Sequence, residues 1–277
     1  MKTKIFILYC YIPFVILFLL ISGCTKKIIK DEPEVKTINS EETIKLLKII
    51  EEINDKSPDS FSLNLNIDGI LNNKKFKSTG KAVFNNNPRQ MKVTFADAFF
   101  GSALTTIIQD GEIIKLYFPI EKILYMDNIN TIKIRNYADI NLDYYIIAEL
   151  TVGRIPIIKD YFIKKALMKD ENGQFNENDI YIILENNLYY ETIAFQKDFP
   201  DKILIVNKNT KEKTEIYLKN PFKEKDITFF KTIQLISTLP EYKITVEFSS
   251  IIFNKNIDLK KIFIIDLPKN CKIIYTE

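Results

Sequence analysis

The stretch Phe61-Ser62-Leu63-Asn64-Leu65-Asn66-Ile67-Asp68 alternates apolar and polar side chains without a fault. A period of two admits an extended strand with one buried and one wet face, and little else. The pattern recurs at once. Residues 75–84 set Phe76, Ala82 and Phe84 against Lys75, Lys77 and Lys81, and Met91, Val93 and Phe95 follow the break Asn85-Asn86-Asn87-Pro88. Between the apolar-rich runs 104–108 and 113–118 stands Gln109-Asp110-Gly111-Glu112. An Asp-Gly pair so placed predicts a two-residue hairpin of type I′, with positive φ at both central residues. Pro119 has no N–H for a ladder and ends that strand, and residues 123–126 resume as another. The N-terminal half therefore reads as an antiparallel meander.

Helical signals flank it. Ser40 is a fair N-cap, Glu41 and Glu42 suit a first turn, and Ile44, Leu47, Ile50 and Ile53 recur at near-helical spacing. A helix over residues 41–54 follows, stopped by Asn54, Asp55 and Pro58. Over residues 137–152 the alternation lapses, and Leu142, Tyr145, Ile146, Glu149 and Leu150 predict a helix apolar over most of its circumference. Gly153 ends it, Pro156 follows, and a second helix is expected over 157–168. Strands return at 180–185, 189–195, 203–207, 214–218, 229–237, 242–248, 262–266 and 272–275. The sum is a mainly β fold with helices (α+β): a strongly curved antiparallel half-barrel of about 11 to 13 strands, with an N-terminal helix and internal lid helices. A packed core and a lined cavity both produce apolar strand faces. On the residues alone, the packed core is the simpler account.

The N-terminus adds a destination. Met1-Lys2-Thr3-Lys4, an apolar run over 5–21 and Ser22-Gly23-Cys24 describe a secretory signal. The run is also long enough for an uncleaved membrane anchor, but Pro13 and the tight Ser-Gly-Cys ending oppose that. The ending resembles the bacterial lipobox, in which the cysteine is diacylated and becomes the first mature residue. The expected organisation is a leader over 1–23, a lipidated flexible tether over 24–39 with Cys24 acylated, and a single domain over 40–277. Each buried methylene is worth about 0.8 kcal/mol, so one acyl chain holds a protein marginally and two or three hold it firmly.

Composition excludes several functions. The 277 residues contain no His, so Ser-His-Asp and Cys-His nucleophile systems and His-ligated zinc are ruled out. With no nucleophile elbow and no Gly-rich phosphate loop, the sequence predicts neither an enzyme nor a cofactor or metal site. The formal charge is +3 with lysines interleaved among acids, and Lys2 and Lys4 leave with the leader; nucleic acid is not an expected partner. Cys10 leaves as well and Cys24 carries lipid, so Cys271 stands alone and no intrachain disulfide is expected. A monomer is expected.

Gly80, Pro88, Asp110-Gly111, Tyr117 and Pro119 fall in an order and spacing that resembles the LolA and LolB lipoprotein-carrier and receptor superfamily. There a strand, a Pro-led strand and an Asp-Gly hairpin ending in Tyr-x-Pro succeed one another. Phe263-Ile264-Ile265-Asp266-Leu267-Pro268 is similar to the superfamily's closing Phe-x-x-x-x-Pro strand. The likeness spans most of residues 41–275. It implies a half-barrel whose apolar concavity, under lid helices, takes up the acyl chains of lipoproteins, with a soluble periplasmic carrier as a further partner and the outer membrane, facing the periplasm, as the site of work.

Two details bear on the branch. Phe99-Phe100-Gly101-Ser102 stands where the membrane-anchored LolB receptor carries a protruding apolar residue followed by Gly-Ser, so the resemblance implies a membrane-insertion loop at Phe99, Phe100 and Gly101. Its plain alternative is a buried aromatic in a loop. The soluble LolA carrier has a lid-latching Arg directly before the strand proline, where this chain has Asn87. Both details, with Cys24, favour the anchored branch. Expected acyl-chain contacts are Leu63, Leu65, Met91, Val93, Phe95, Leu116 and Phe118, with Leu142, Tyr145 and Ile146 from the lid helix. The alternative is a structural or partner-binding adhesion-type lipoprotein whose β-domain is filled by its own side chains.

Overall fold

The computed structural model describes residues 40–137, 140, 142–168, 179–196, 199–253 and 258–276, so the expectations for leader, Cys24 and tether lie outside the described residues. Helix α1 (Ser40–Asp55) buries Leu46, Leu47, Ile50 and Ile53 and leaves Ile44 exposed. The meander follows as β1 (Ser60–Leu71), β2 (Lys74–Asn85), β3 (Gln90–Asp97), β4 (Ala103–Asp110), β5 (Ile113–Phe118) and β6 (Ile123–Asn128). After a 3-10 turn at Ile134–Asn136 comes the eight-residue α2 (Tyr144–Thr151). Strands then resume as β7 (Phe162–Met168), β8 (Asp179–Glu185), β9 (Tyr189–Gln196), β10 (Phe199–Asn207), β11 (Lys213–Glu224), β12 (Ile227–Thr238) and β13 (Glu241–Phe253). A short α3 (Leu259–Ile262) and β14 (Lys272–Tyr275) close the chain.

Among the described residues all fourteen strands lie in one sheet, in the order β14-β6-β5-β4-β3-β2-β1-β13-β12-β11-β10-β9-β8-β7. Every pairing is antiparallel except β14, which runs parallel to β6. The two halves of the chain join where β1 pairs with β13, from Phe61 opposite Phe253 to Leu71 opposite Tyr242. The expected half-barrel of about 11 to 13 strands is thereby corrected. The sheet is not strongly curled, and it is open, because its edge strands β7 and β14 share no ladder and closure needs one.

Three local expectations also change. Residues 162–168 form edge strand β7 against β8, not a second helix; tertiary pairing overrides the helical propensity of Lys-Lys-Ala-Leu-Met. Residues 263–266 are not a strand but cross the outer face, where Lys92 Nζ donates to Ile264 O at 2.8 Å. Register puts Lys92, Ile108 and Lys115 on that face, and Ile108 is buried there. At the Asp-Gly hairpin, Asp110 pairs with Ile113, so the central residues are Gly111 and Glu112. Of these only Gly111 has positive φ, at 60°, which fits a type II′ turn and not the expected I′.

The other face of the sheet carries the core. Register lines up Leu63, Ala82, Val93, Ile107 and Leu116 across β1 to β5, and these pack into one apolar cluster with α1, with Ile146 and Leu150 of α2, and with Phe61, Phe84 and Phe229. The connection after α2 completes the cover through the buried Val152, Ile155 and Ile158. Two polar side chains fix it. Asn54 of α1 donates to Ile155 O at 2.9 Å and accepts from Ile155 N at 2.8 Å. Glu191 of β9, fully buried between Leu184 and Ile205 of the adjoining strands, accepts from Ile158 N at 2.9 Å.

Gly153 begins this connection with φ of 77°, and a Cβ there would lie 2.2 Å from the Phe229 ring. Gly153→Ala is expected to lower stability by about 2–4 kcal/mol, from overpacking plus the left-handed backbone; an unchanged urea midpoint would show that Phe229 gives way freely. Burial lifts the Glu191 carboxyl from 4.5 up to about 8, with the Ile158 N–H pulling the other way. Between those values the folded chain holds a proton that the unfolded chain has lost. Stability therefore falls as pH rises from about 4.5 to about 8, then levels off. Glu191→Gln should flatten that slope in urea midpoints taken at pH 5, 7 and 9. Equal slopes in the two proteins would remove Glu191 as their source.

Candidate functional site

What distinguishes α2 from the rest of the cover is how it is held. Its Glu149 is buried and accepts from Arg89 Nη2 at 2.5 Å, while Arg154 Nη1 lies 3.8 Å from the other carboxylate oxygen. Arg89 sits in the β2–β3 turn just after Pro88, so a guanidinium from the sheet's end reaches across to the helix. At the other end of α2, Tyr144 Oη donates to Gln109 Oε1 at 2.8 Å, and Gln109 Nε2 donates to Gly111 O at 3.1 Å. Burial pushes the Tyr144 phenol well above its ordinary value, with the Arg89 charge opposing. The helix is thus clamped by charge-assisted and neutral hydrogen bonds at both ends over an apolar middle. Asn87 stands directly before the proline, as the sequence shows, and Arg89, two residues on, is the residue that reaches α2.

Arg89, Glu149, Gln109 and Glu191 do not stand out in the sequence as a set. One signal was available. The chain has 39 basic residues, of which only Arg89, Arg135 and Arg154 are arginines, and two of those three converge on Glu149. Arginine's rigid fork suits a buried carboxylate better than a lysine point charge.

The expected acyl-chain contacts fall on one continuous surface. Leu63, Leu65, Met91, Val93 and Leu116 are buried on the inner sheet face, and Leu142 and Ile146 are buried at α2. Phe95, Phe118 and Tyr145 are half-buried and pack against the same cluster. The structure holds this surface shut. Beside it, a cleft of about 500 Å³ opens between α2 and the β8–β9 turn, lined by Ile129, Ile132, Tyr145, Ile158, Lys159 and Leu188 among others. Of the expected contacts, Tyr145 and Ile146 face this cleft. Among the described residues, no group of three or more Cys, Asp or Glu side chains could hold a metal ion.

The β3–β4 loop is the second feature. Phe99 and Phe100 are 80% and 88% exposed, so Phe100 is not a buried loop aromatic. The loop is not loose. Asp97 Oδ1 accepts from both Phe99 N at 2.9 Å and Phe100 N at 2.8 Å, and Asp97 O accepts from Gly101 N at 2.9 Å. Gly101 takes a φ of 66° to return the chain, and Asp97 N donates to Ser102 O at 2.9 Å. The expected loop residues Phe99, Phe100 and Gly101 therefore form a tip whose backbone donors are satisfied from within.

No protein-family model matches the sequence, and no curated protein matches it. Solved structures match by shape. A domain named for outer membrane lipoprotein sorting from Vibrio parahaemolyticus is similar with a TM-score of 0.53 at 10% identity, covering 80% of this chain and 96% of that one. A DUF1329 family protein from Desulfovibrio piger is similar with a TM-score of 0.51 at 11% identity, covering 78% of this chain and 94% of that one. A LolA superfamily protein from Nitrosomonas europaea reaches 0.49 at 12% identity, covering 77% and 95%. At such identities the likeness is one of fold. The chain shares a fold with the Vibrio and Desulfovibrio proteins, and the matches do not single out the LolB branch.

Proposed function

We propose that the protein is a non-enzymatic envelope lipoprotein, anchored through acylated Cys24, that takes the acyl chains of lipoproteins against the apolar sheet face beneath α2 and passes them to the outer membrane. A soluble carrier on the periplasmic side would supply the cargo, as the LolB-like resemblance implies. The observation that carries the reading is the tip at Phe99 and Phe100, two neighbouring aromatic rings held out into solvent by a self-satisfied loop. Fully burying such a ring is worth roughly 1.5–3 kcal/mol, so a pair gives a protein already tethered nearby a foothold in a bilayer. The Arg89–Glu149 clamp supplies the other requirement, a cover fixed by contacts that can exchange for water when the helix lifts.

A second reading has its own observation. Leu63, Leu65, Met91, Val93 and Leu116 are sealed into the core together with α1 and α2, as in a ligand-free platform for a protein partner.

Uptake of a fluorescent fatty acid separates the two readings. The chain is expected to bind it with micromolar affinity or better, and Glu149→Gln, which weakens the clamp without changing its shape, should speed uptake. No uptake by either protein sinks the acyl-chain reading and leaves the platform. Phe100→Glu should weaken delivery of acylated cargo to liposomes by about tenfold or more, the equivalent of one lost buried ring, while leaving uptake unchanged. Equal loss of both steps would place Phe100 in the fold's support and not at a membrane.

A further inference from the structure

We infer that the membrane contact is made by two adjacent turns, with Ile120 of the β5–β6 turn inserting beside Phe99 and Phe100. The inference rests on the membrane-tip reading above and extends it to a surface. Register brings the two turns out at one end of the sheet, with the β3–β4 tip reaching farther: Tyr117 pairs with Thr106 and Phe118 with Ile123, while the β3–β4 ladder continues to Ala96 opposite Ala103. The β3–β4 and β5–β6 turns therefore leave the same end of the sheet, two strand spacings or about 10 Å apart. Ile120 is 69% exposed at its turn, preceded by Pro119, which has no N–H to bury.

The other end of the sheet is different. Among the described residues its turns are Asn86 to Arg89, Gly111-Glu112 and Lys225-Asp226, with Pro88 as their one apolar side chain, and the partly exposed Ile113 and Phe199 stand beside this end in strands. Exposed apolar tips at one end and polar turns at the other make an oriented body.

The occupant that fits is a bilayer. Two convex tips some 10 Å apart would require a protein partner to offer two separate pockets at matched spacing, whereas a fluid acyl layer accepts both without matching. The N–H groups of the β3–β4 tip also suit that medium, since Asp97 already satisfies those of Phe99, Phe100 and Gly101. Within the two turns the charged residues are Asp97, Glu121 and Lys122, a set with no cationic excess to draw the chain to anionic headgroups. Insertion is thus driven by apolar burial, and zwitterionic phosphatidylcholine suffices.

The chain contains no Trp, so single reporters can be read in the full-length protein without background. Phe100→Trp, Ile120→Trp and, as the opposite-end control, Glu112→Trp are reconstituted into phosphatidylcholine vesicles with brominated acyl chains, which quench only an indole in the acyl layer. Far-UV circular dichroism confirms that each variant folds. The expected result is loss of most emission for Phe100→Trp and Ile120→Trp, none for Glu112→Trp, and no change at high salt. Quenching of Phe100→Trp alone overturns the two-turn surface and leaves the single-tip reading standing. Quenching of neither overturns both. Equal quenching of all three, or quenching abolished by salt, overturns an oriented apolar insertion.

Discussion

An open sheet of fourteen strands presents one long apolar face, and the helices available to cover it are short: sixteen residues in α1 and eight in α2. The remainder of the cover is irregular chain that brings Ile132, Leu142, Val152, Ile155 and Ile158 onto the sheet. Irregular chain in an apolar core carries backbone donors and acceptors without a ladder to satisfy them. That requirement explains the polar side chains buried here. Asn54 serves both the N–H and the C=O of Ile155, and Glu191 serves the N–H of Ile158. These groups follow from the way the face is closed and need no catalytic explanation.

The sheet and its cover are consequently held by different means. Neighbouring strands share continuous ladders, such as the run from Ser60 opposite Asn85 to Leu71 opposite Lys74, whereas α2 is fixed by the Glu149 ion pairs, the Tyr144–Gln109 bond and its apolar face. Local opening draws on the least supported element first. Lifting α2 returns Arg89 and Glu149 to water, where their hydration replaces much of what the pair contributed, so the main resistance is the apolar surface of Ile146 and Leu150. A cover balanced in this way can separate from the sheet without any strand pairing being lost.

Local periodicity was legible in the sequence wherever one strand face is wet. Residues 61–68, 75–84 and 242–248 all lie inside observed strands, and residues 41–54 lie inside α1. The misreadings have physical causes. Residues 162–168 contain good helix formers, and only the approach of β8 makes them a strand. Residues 263–266 have strand composition but are used to cover Ile108's face of the sheet. Closure was illegible because it depends on whether two edge strands meet, and no residue pattern in β7 or β14 records the absence of a partner. The Arg89–Glu149 clamp spans sixty residues of sequence, and neither residue belongs to a periodic pattern that would link them. The Phe99–Phe100 loop was marked by the resemblance alone, with a buried loop aromatic left open beside it, and it is the exposure of both rings that removes that alternative.

The fold itself does not call for those rings. β3 and β4 could be joined by two residues, yet residues 98–102 make a longer loop. Its geometry is secured by the Asp97 carboxylate and by the positive φ of Gly101, neither of which involves the Phe99 or Phe100 side chain. Serine or asparagine at both positions would keep every hydrogen bond of the loop and remove the penalty of holding apolar surface in water. Since the aromatic side chains contribute nothing that the loop requires, the reason for them has to lie in something the loop touches, and a rigid pair of exposed rings gains free energy only where that surface can leave water.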